Sequence, residues 1–147
     1  MELRKCALGL LARREHSRFE LRQKLTARGY AADKVETLLS QFARQALQSD
    51  ERYTEAYVRM RVAAGFGPRR IAMELQRRGV SDSLIGAYLH QDEQFWWRAL
   101  LAVWRKKYAP EQVLSVHYIK QLRFLTQRGF EPGQIHKLLQ QQDKIEY

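Results

Sequence analysis

The chain has 147 residues, the size of one ordinary domain, and 45% of them are hydrophobic, which is enough for a core. Lys and Arg number 26 against 16 Asp and Glu, so the net charge of +10 favours acidic partners: nucleic acid, an anionic membrane or an acidic protein surface. The only cysteine, Cys6, excludes an intrachain disulfide and a cysteine-based zinc site, and fits the cytoplasmic location we expect. We identify no signal peptide and no apolar run near the roughly 18 residues of a membrane span.

Residues 1–49 are predicted to form a three-helix unit. The first helix runs from about Glu2 to Arg14. Its predicted buried stripe is Ala7, Leu8 and Leu11. Ser17 and Glu20 have the spacing of a capping box, so a second helix begins there. A third helix is predicted from about Ala32 to Leu47, with a stripe of Val35, Leu38, Leu39 and Phe42.

Residues 50–90 repeat this pattern. Asp50 is predicted to cap a helix that runs from Glu51 to about Ala64. The predicted buried side of that helix is Tyr53, Ala56, Tyr57 and Met60. Pro68 suits the first turn of the next helix, where its missing N–H is not needed, and Ser81 is positioned to cap the third.

Residues 91–147 form a third unit whose first helix is long and aromatic, from about Asp92 to Tyr108, with Pro110 ending it. Its predicted buried stripe is Trp97, Leu100, Leu101, Trp104 and Tyr108. Packing in a core is the simplest interpretation of these rings. Base stacking by Phe95, Trp96 or Tyr108 is the alternative, which requires exposed rings. In the next helix, Gln121 takes the place that Leu21 and Ile71 occupy earlier.

One phrase, Leu-x-x-Arg-Gly followed by an apolar residue, occurs three times at intervals of 50 residues. Gly after the last turn of a helix is typical of a left-handed C′ position, and the apolar residue can fold back as in a Schellman motif. The structural signature of the repeat is Leu25, Gly29, Leu75, Gly79, Leu125 and Gly129, together with Asp50. A fixed period of this length indicates stacked supersecondary units. We therefore predict an all-α protein of nine helices in three tandem three-helix repeats, forming one continuous array.

Catalytic chemistry has little support in the sequence. Phosphate-binding glycine loops, nucleophile elbows and metalloprotease motifs are missing. The four histidines are scattered at His16, His90, His117 and His136, which disfavours a helical metal pair. We predict no catalytic residue and no metal site.

The arginines are the positive evidence for binding. Several follow helical spacing, and each of the three units carries a net positive charge. The predicted basic face consists of Arg13, Arg14, Arg18, Arg22, Arg28, Arg59, Arg61, Arg69, Arg70, Arg77 and Arg78. The alternative is a solvated surface that happens to be basic. Such a surface usually mixes charges of both signs, and these stretches are short of acidic residues.

Three segments together carry a resemblance to a known protein family. The first is Leu11-Ala12-Arg13-Arg14-Glu15-His16-Ser17, leading through Glu20-Leu21 and Lys24-Leu25 to Gly29. The second is Asp50-Glu51-Arg52-Tyr53, and the third is Gly65-Phe66-Gly67-Pro68-Arg69-Arg70-Ile71 followed by Glu74-Leu75 and Gly79-Val80. The last repeat matches mainly through Phe124-Leu125 and Arg128-Gly129-Phe130. These segments resemble the RecX family of recombinase regulators, and the resemblance covers essentially the whole chain.

This resemblance implies an elongated, curved, right-handed stack of repeats, without enzymatic activity or cofactor. It implies binding to RecA and to the groove of the RecA–single-stranded DNA filament, where filament extension, ATP hydrolysis, strand exchange and co-protease activity are limited. The setting would be homologous recombination, DNA repair and the SOS response. We expect a monomer.

The alternative is a sequence-independent DNA-binding helical repeat protein that binds bare DNA without recombinase specificity. A membrane-surface protein is disfavoured because the apolar stripes are needed between helices.

Overall fold

The computed structural model describes residues 2–89, 92–108 and 118–141, and all regular elements within these ranges are α-helices. They are α1 (Glu2–Arg13), α2 (Arg18–Ala27), α3 (Ala32–Arg44), α4 (Asp50–Ala63), α5 (Pro68–Arg77), α6 (Asp82–Tyr88), α7 (Glu93–Lys107), α8 (Tyr118–Arg128) and α9 (Pro132–Gln140). The all-α prediction is confirmed, with nine helices in the described ranges. Three of the residues singled out in the sequence, His90, Pro110 and His117, lie outside these ranges.

The three predicted helix stops are confirmed. Gly29, Gly79 and Gly129 have φ angles of 93°, 77° and 96°. In each copy the N–H after the glycine donates to the carbonyl of the repeated leucine, at 3.3 Å in the first copy, 3.1 Å in the second and 3.4 Å in the third. The glycine N–H donates to the next carbonyl along, which completes a Schellman motif. The repeated leucines, Leu25, Leu75 and Leu125, are fully buried.

The capping predictions succeed at Ser17 and Ser81 but fail at Asp50. Ser17 and Glu20 form the predicted capping box, and the Ser81 hydroxyl accepts from the Leu84 N–H. Helix α4 is capped by Ser49, whose hydroxyl accepts from the Arg52 N–H at 3.1 Å. The Asp50 carboxylate instead accepts from the N–H of Arg18 in the first turn of α2, at 2.9 Å. Asp50 therefore stabilises the start of a different helix from its own.

The stripes of α1 and α4 are shifted from the predicted positions. In α1, Ala7 and Leu10 are buried, whereas Leu8 is 38% exposed and Leu11 is only partly buried. In α4, Val58 is buried and Met60 is 55% exposed. Ala56 is also exposed, whereas Tyr53, Thr54 and Tyr57 are buried. The core around α1, α2 and α3 consists of Ala7, Leu10, Leu21, Leu25, Val35, Leu38, Leu39 and Phe42.

Helix α7 buries Trp96, Leu100 and Trp104, and Tyr108 just after its end is buried as well. The predicted stripe therefore begins one residue too late, at Trp97, which is half-buried together with Leu101. The burial of Trp96 and Tyr108 rules out their use as stacking platforms, and Phe95 is half-buried with its ring edge-on to Trp96. Trp104 donates its indole N–H to the buried Gln121 Oε1 at 3.0 Å. This explains why a polar residue stands where the other repeats have Leu21 and Ile71, because a buried N–H needs an acceptor.

The described residues pack into two compact units. Unit 1 comprises Met1–Tyr57 with Glu74–Tyr88, and unit 2 comprises Val58–Met73 with Leu89–Tyr147. In unit 1, α2 packs against α1 and α3; in unit 2, α9 packs against α7 and α8. The repeat boundaries at residues 49/50 and 90/91 stay a prediction. No helix in the described part of the chain is both long and apolar enough to cross a membrane.

Candidate nucleic-acid and protein interface

Three arginines of the predicted basic face, Arg14, Arg18 and Arg22, lie in unit 1 next to carboxylates. Arg14 donates two hydrogen bonds of 3.1 Å to the two carboxylate oxygens of Glu20. Burial alone would raise the pKa of the Glu20 carboxyl, but hydrogen bonds from Arg14 and from the Ser17 N–H outweigh it and lower that pKa. The ion pair therefore holds the capping box that starts α2.

Arg18 and Arg22 share one carboxylate. Arg18 donates to Glu36 at 3.1 Å and to the Ser40 hydroxyl at 3.0 Å, and Arg22 donates to the other Glu36 oxygen. The two hydrogen bonds, the one from Arg22 first, lower the pKa of the Glu36 carboxyl. Glu36 comes from α3, so these arginines tie α2 to α3 as well as carrying charge.

The other predicted arginines of unit 1 differ in exposure. Arg13 and Arg77 are exposed, and Arg28 is exposed with its guanidinium 2.6 Å from the Cys6 sulfur. Arg78 is half-buried: its guanidinium lies 4.9 Å from the centre of the Tyr57 ring and donates to the Glu74 carbonyl. Unit 1 has 13 Lys and Arg against 10 Asp and Glu, a net charge of +3.

Unit 2 arranges its arginines around a phenylalanine. The guanidinium carbons of Arg61, Arg70 and Arg128 lie 3.8, 4.4 and 4.6 Å from the centre of the Phe66 ring. We call these four residues the Phe66 cluster. An aromatic ring stabilises a stacked guanidinium without bringing an opposite net charge of its own.

Main-chain contacts assemble this cluster. The Gly67 N–H donates to the Arg128 carbonyl at 2.7 Å, and the Arg69 N–H donates to the Gly129 carbonyl at 2.9 Å. The Arg70 side chain donates to the Gln127 carbonyl, and the Arg128 side chain donates to the Ala64 carbonyl, both at 3.1 Å. The turn after α4 is thereby joined to the end of α8, at the third copy of the glycine pattern.

Sequence reasoning found Arg61 and Arg70 but not Arg128, which it treated only as part of a helix stop. Arg59 and Arg69, also predicted, are exposed in the same unit. Unit 2 has 13 Lys and Arg against 6 Asp and Glu, a net charge of +7. Most of the excess positive charge thus belongs to unit 2 rather than to unit 1, which contains α2.

Metal chemistry has no support in the described ranges, where His, Cys, Asp and Glu side chains do not come together in groups of three. Of the two histidines in the described ranges, His16 is the buried one and has a structural role. Its Nε2 lies 2.9 Å from the Lys24 ammonium, and its Nδ1 lies 3.1 Å from the Arg14 carbonyl. Because an ammonium only donates, Nε2 accepts and Nδ1 carries the proton. Burial lowers the pKa of this imidazole, which favours the neutral ring.

Family comparisons identify both early repeats. Residues 4–42 match the family model of the first three-helix domain of RecX, and residues 49–89 match that of the second. The "Regulatory protein RecX" of Legionella pneumophila strain Corby is 39% identical over 136 residues, covering 92% of this chain and 91% of the relative. The protein of the same name from Pseudomonas putida is 38% identical over 146 residues, covering 99% and 94%.

Solved structures agree in fold. The crystal structure of RecX from Lactobacillus salivarius superimposes with a TM-score of 0.82 at 22% identity, over 98% of this chain and 96% of that one. A second crystal structure, of a regulatory protein RecX, gives a TM-score of 0.73 over 95% of this chain.

Proposed function

Because the chain belongs to the RecX family of regulatory proteins, we propose that it is a negative regulator of the RecA recombinase. In this proposal it binds RecA and the groove of the RecA–single-stranded DNA filament as a monomer. Binding limits filament extension, ATP hydrolysis, strand exchange and co-protease activity. The protein acts by binding alone, without a catalytic step or a cofactor.

The observation that carries the proposal is the arrangement of cations in unit 2. Arg61, Arg70 and Arg128 surround Phe66, and the exposed Arg59 and Arg69 lie on the same two helices as Arg61 and Arg70. Guanidiniums bind phosphate oxygens and carboxylates in pairs of hydrogen bonds, so the same cluster suits a DNA backbone and an acidic protein surface. Contacts of this kind carry no base specificity.

The first test is binding to bare and RecA-coated single-stranded DNA, followed by fluorescence anisotropy of a labelled oligonucleotide. The variant is Arg61→Gln/Arg69→Gln/Arg70→Gln, and the matched control is Lys5→Gln/Lys34→Gln/Arg44→Gln, which removes three exposed charges from unit 1. We expect the variant, and not the control, to lose filament affinity. If the three arginines meet phosphates, the slope of log affinity against log salt should fall by about 2.

The second candidate is a DNA-binding repeat protein without recombinase specificity, favoured by the same phosphate-compatible cluster. It predicts equal affinity for bare and RecA-coated DNA, and equal loss on both in the variant. Tighter binding to the coated DNA, lost only in the unit 2 variant, would support the filament proposal. Equal effects of variant and control would reject the assignment of the interface to unit 2.

A further inference from the structure

A groove of about 520 Å³ lies within unit 2, apart from the predicted basic face. Its walls come from the end of α4, from α7 and from α8. The floor is apolar and consists of small side chains. Ala63 and Ala64 lie on one side, and Ala99, Ala102 and Val103 of α7 lie on the other. A groove of this volume is in the range that takes a ligand or a few side chains of a peptide.

Helix α7 presents two different apolar faces. Trp96, Leu100 and Trp104 point into the core and are buried. Ala99 and Val103 line the groove and are half-buried, and Ala102 is exposed. The large side chains therefore fill the core, while the small ones leave space at the surface for an apolar group from outside.

Cations border this apolar floor. Lys106, Lys107 and Arg128 line the groove together with the Phe124 ring. The Lys107 ammonium is 5.1 Å and the Arg128 guanidinium carbon 5.3 Å from the centre of that ring. Arg128 gives one N–H to the Ala64 carbonyl, and its guanidinium has five N–H donors in all. The groove thus combines an apolar floor with a cationic border.

We propose that the groove binds an acidic protein segment that carries an apolar anchor residue. The anchor packs against the alanine floor, and the carboxylates beside it pair with Lys106, Lys107 and Arg128. A nucleic-acid backbone would satisfy the cations but would leave the apolar floor uncovered, because its phosphates and sugars are polar. Charge complementarity together with the apolar floor favours a protein occupant over DNA. This assignment of the groove does not depend on the proposed binding to the RecA filament.

The test uses a fluorescein-labelled synthetic peptide with one Leu flanked by Asp and Glu residues, the same peptide with Ser in place of the Leu, and a single-stranded oligonucleotide. Two variants alter the groove: Ala102→Trp fills it at an exposed position, and Lys106→Glu/Lys107→Glu reverses its border. The control Lys5→Glu/Lys34→Glu makes the same change of charge at exposed sites of unit 1. Circular dichroism and melting check that each variant folds.

We expect both groove variants to weaken binding of the Leu peptide about tenfold or more, because each removes one good anchor or ion-pair site. The control should bind the Leu peptide with nearly the wild-type affinity. Chemical shifts of groove residues in the wild-type protein should move when the Leu peptide is added. Three results would overturn the proposal: equal binding of the Ser peptide, an undiminished affinity in Ala102→Trp, or an Ala102→Trp effect on the oligonucleotide alone. The last would assign the groove to nucleic acid.

Discussion

Three arginines of α2 and its approach in unit 1 donate to carboxylates, whereas three arginines of unit 2 surround one aromatic ring. Arg14, Arg18 and Arg22 share two carboxylates in unit 1, while Arg61, Arg70 and Arg128 converge on one ring in unit 2. The net charges of +3 and +7 follow the same division. The larger net charge of unit 2 therefore gives it the stronger attraction for an anionic partner.

The largest expected effect concerns the glycine stops, which look alike in sequence but differ in their surroundings. An added Cβ at Gly29 would meet nothing within 4 Å, whereas at Gly129 it would lie 2.3 Å from the Arg70 Cβ. At Gly79 it would lie 2.4 Å from the Phe19 Cβ. We expect Gly29→Ala to cost about 1 kcal/mol of unfolding free energy, from the positive φ alone.

Gly79→Ala and Gly129→Ala should each cost about 3 kcal/mol or more, because overpacking adds to the same strain. Urea melts of the three variants measure the difference. The same variants also compare the two units in binding. Gly129→Ala displaces Arg70 from the Phe66 cluster and should reduce filament affinity more than Gly79→Ala does. Equal losses of stability at all three positions would contradict these close contacts.

The second effect concerns Gln121, the polar exception among the repeated core positions of unit 2. Gln121→Leu removes the acceptor of the Trp104 indole N–H and should destabilise the protein by about 2 kcal/mol. Trp104→Phe in the Gln121→Leu background should reduce the unfolding free energy less than Trp104→Phe alone, because the hydrogen bond from Trp104 to Gln121 is already lost in that background. Additive losses in this double-mutant cycle would exclude the coupling.

A smaller effect is expected from the ion-paired arginines of unit 1. Arg18→Gln/Arg22→Gln removes both partners of Glu36, and partly exposed pairs of this kind are worth about 1 kcal/mol or less. Thermal melting should show this modest loss, while filament affinity should change less than in Arg59→Gln/Arg69→Gln, which removes two exposed charges from unit 2. A larger loss of affinity in the unit 1 variant would reverse the assignment of the binding arginines.

The smallest effect is the pH dependence of unit 1 through His16. Burial lowers the pKa of this imidazole in the folded protein below its ordinary value of about 6.5. As the pH falls through 6.5, the unfolded chain takes up a proton that the folded chain does not, so stability decreases. The decrease stops once the pH is below the pKa of the folded state. Glu20 nearby stays ionised through this interval because its own pKa is lowered.

His16→Gln provides the comparison for this effect, because its carbonyl oxygen can accept from Lys24 without titrating. The wild-type melting temperature should fall more between pH 7 and pH 5.5 than that of the variant. Parallel curves for the two proteins would show that His16 is not the group responsible.

The helix stops could be predicted from the sequence because a Schellman motif depends on local contacts of Leu25, Gly29 and Tyr30 and their counterparts. The exact buried stripes could not. Trp96 and Trp97 are adjacent apolar residues that both fit a period of 3.6, and only tertiary packing selects between them. The cap at Asp50 was misassigned because its carboxylate serves Arg18, 32 residues away in sequence.

The candidate site could be predicted only in part for the same reason. Helical spacing reveals that Arg18 and Arg22 share a face of α2. Glu36 belongs to α3, and the sequence does not show that its carboxylate lies next to these two arginines. Arg128 belongs to the Phe66 cluster through contacts with residues that lie about 60 positions earlier. Its part in the helix-stop pattern obscured this second role.

The most direct test of the account is the rate of RecA ATP hydrolysis on single-stranded DNA as this protein is added at ratios well below one per RecA. The account predicts a marked fall in rate at these ratios. It also predicts that much more of the Arg61→Gln/Arg69→Gln/Arg70→Gln variant is needed for the same fall in rate. The control Lys5→Gln/Lys34→Gln/Arg44→Gln should inhibit as the wild type does. No fall until the protein saturates the DNA itself would contradict filament regulation and leave a basic DNA-binding repeat protein.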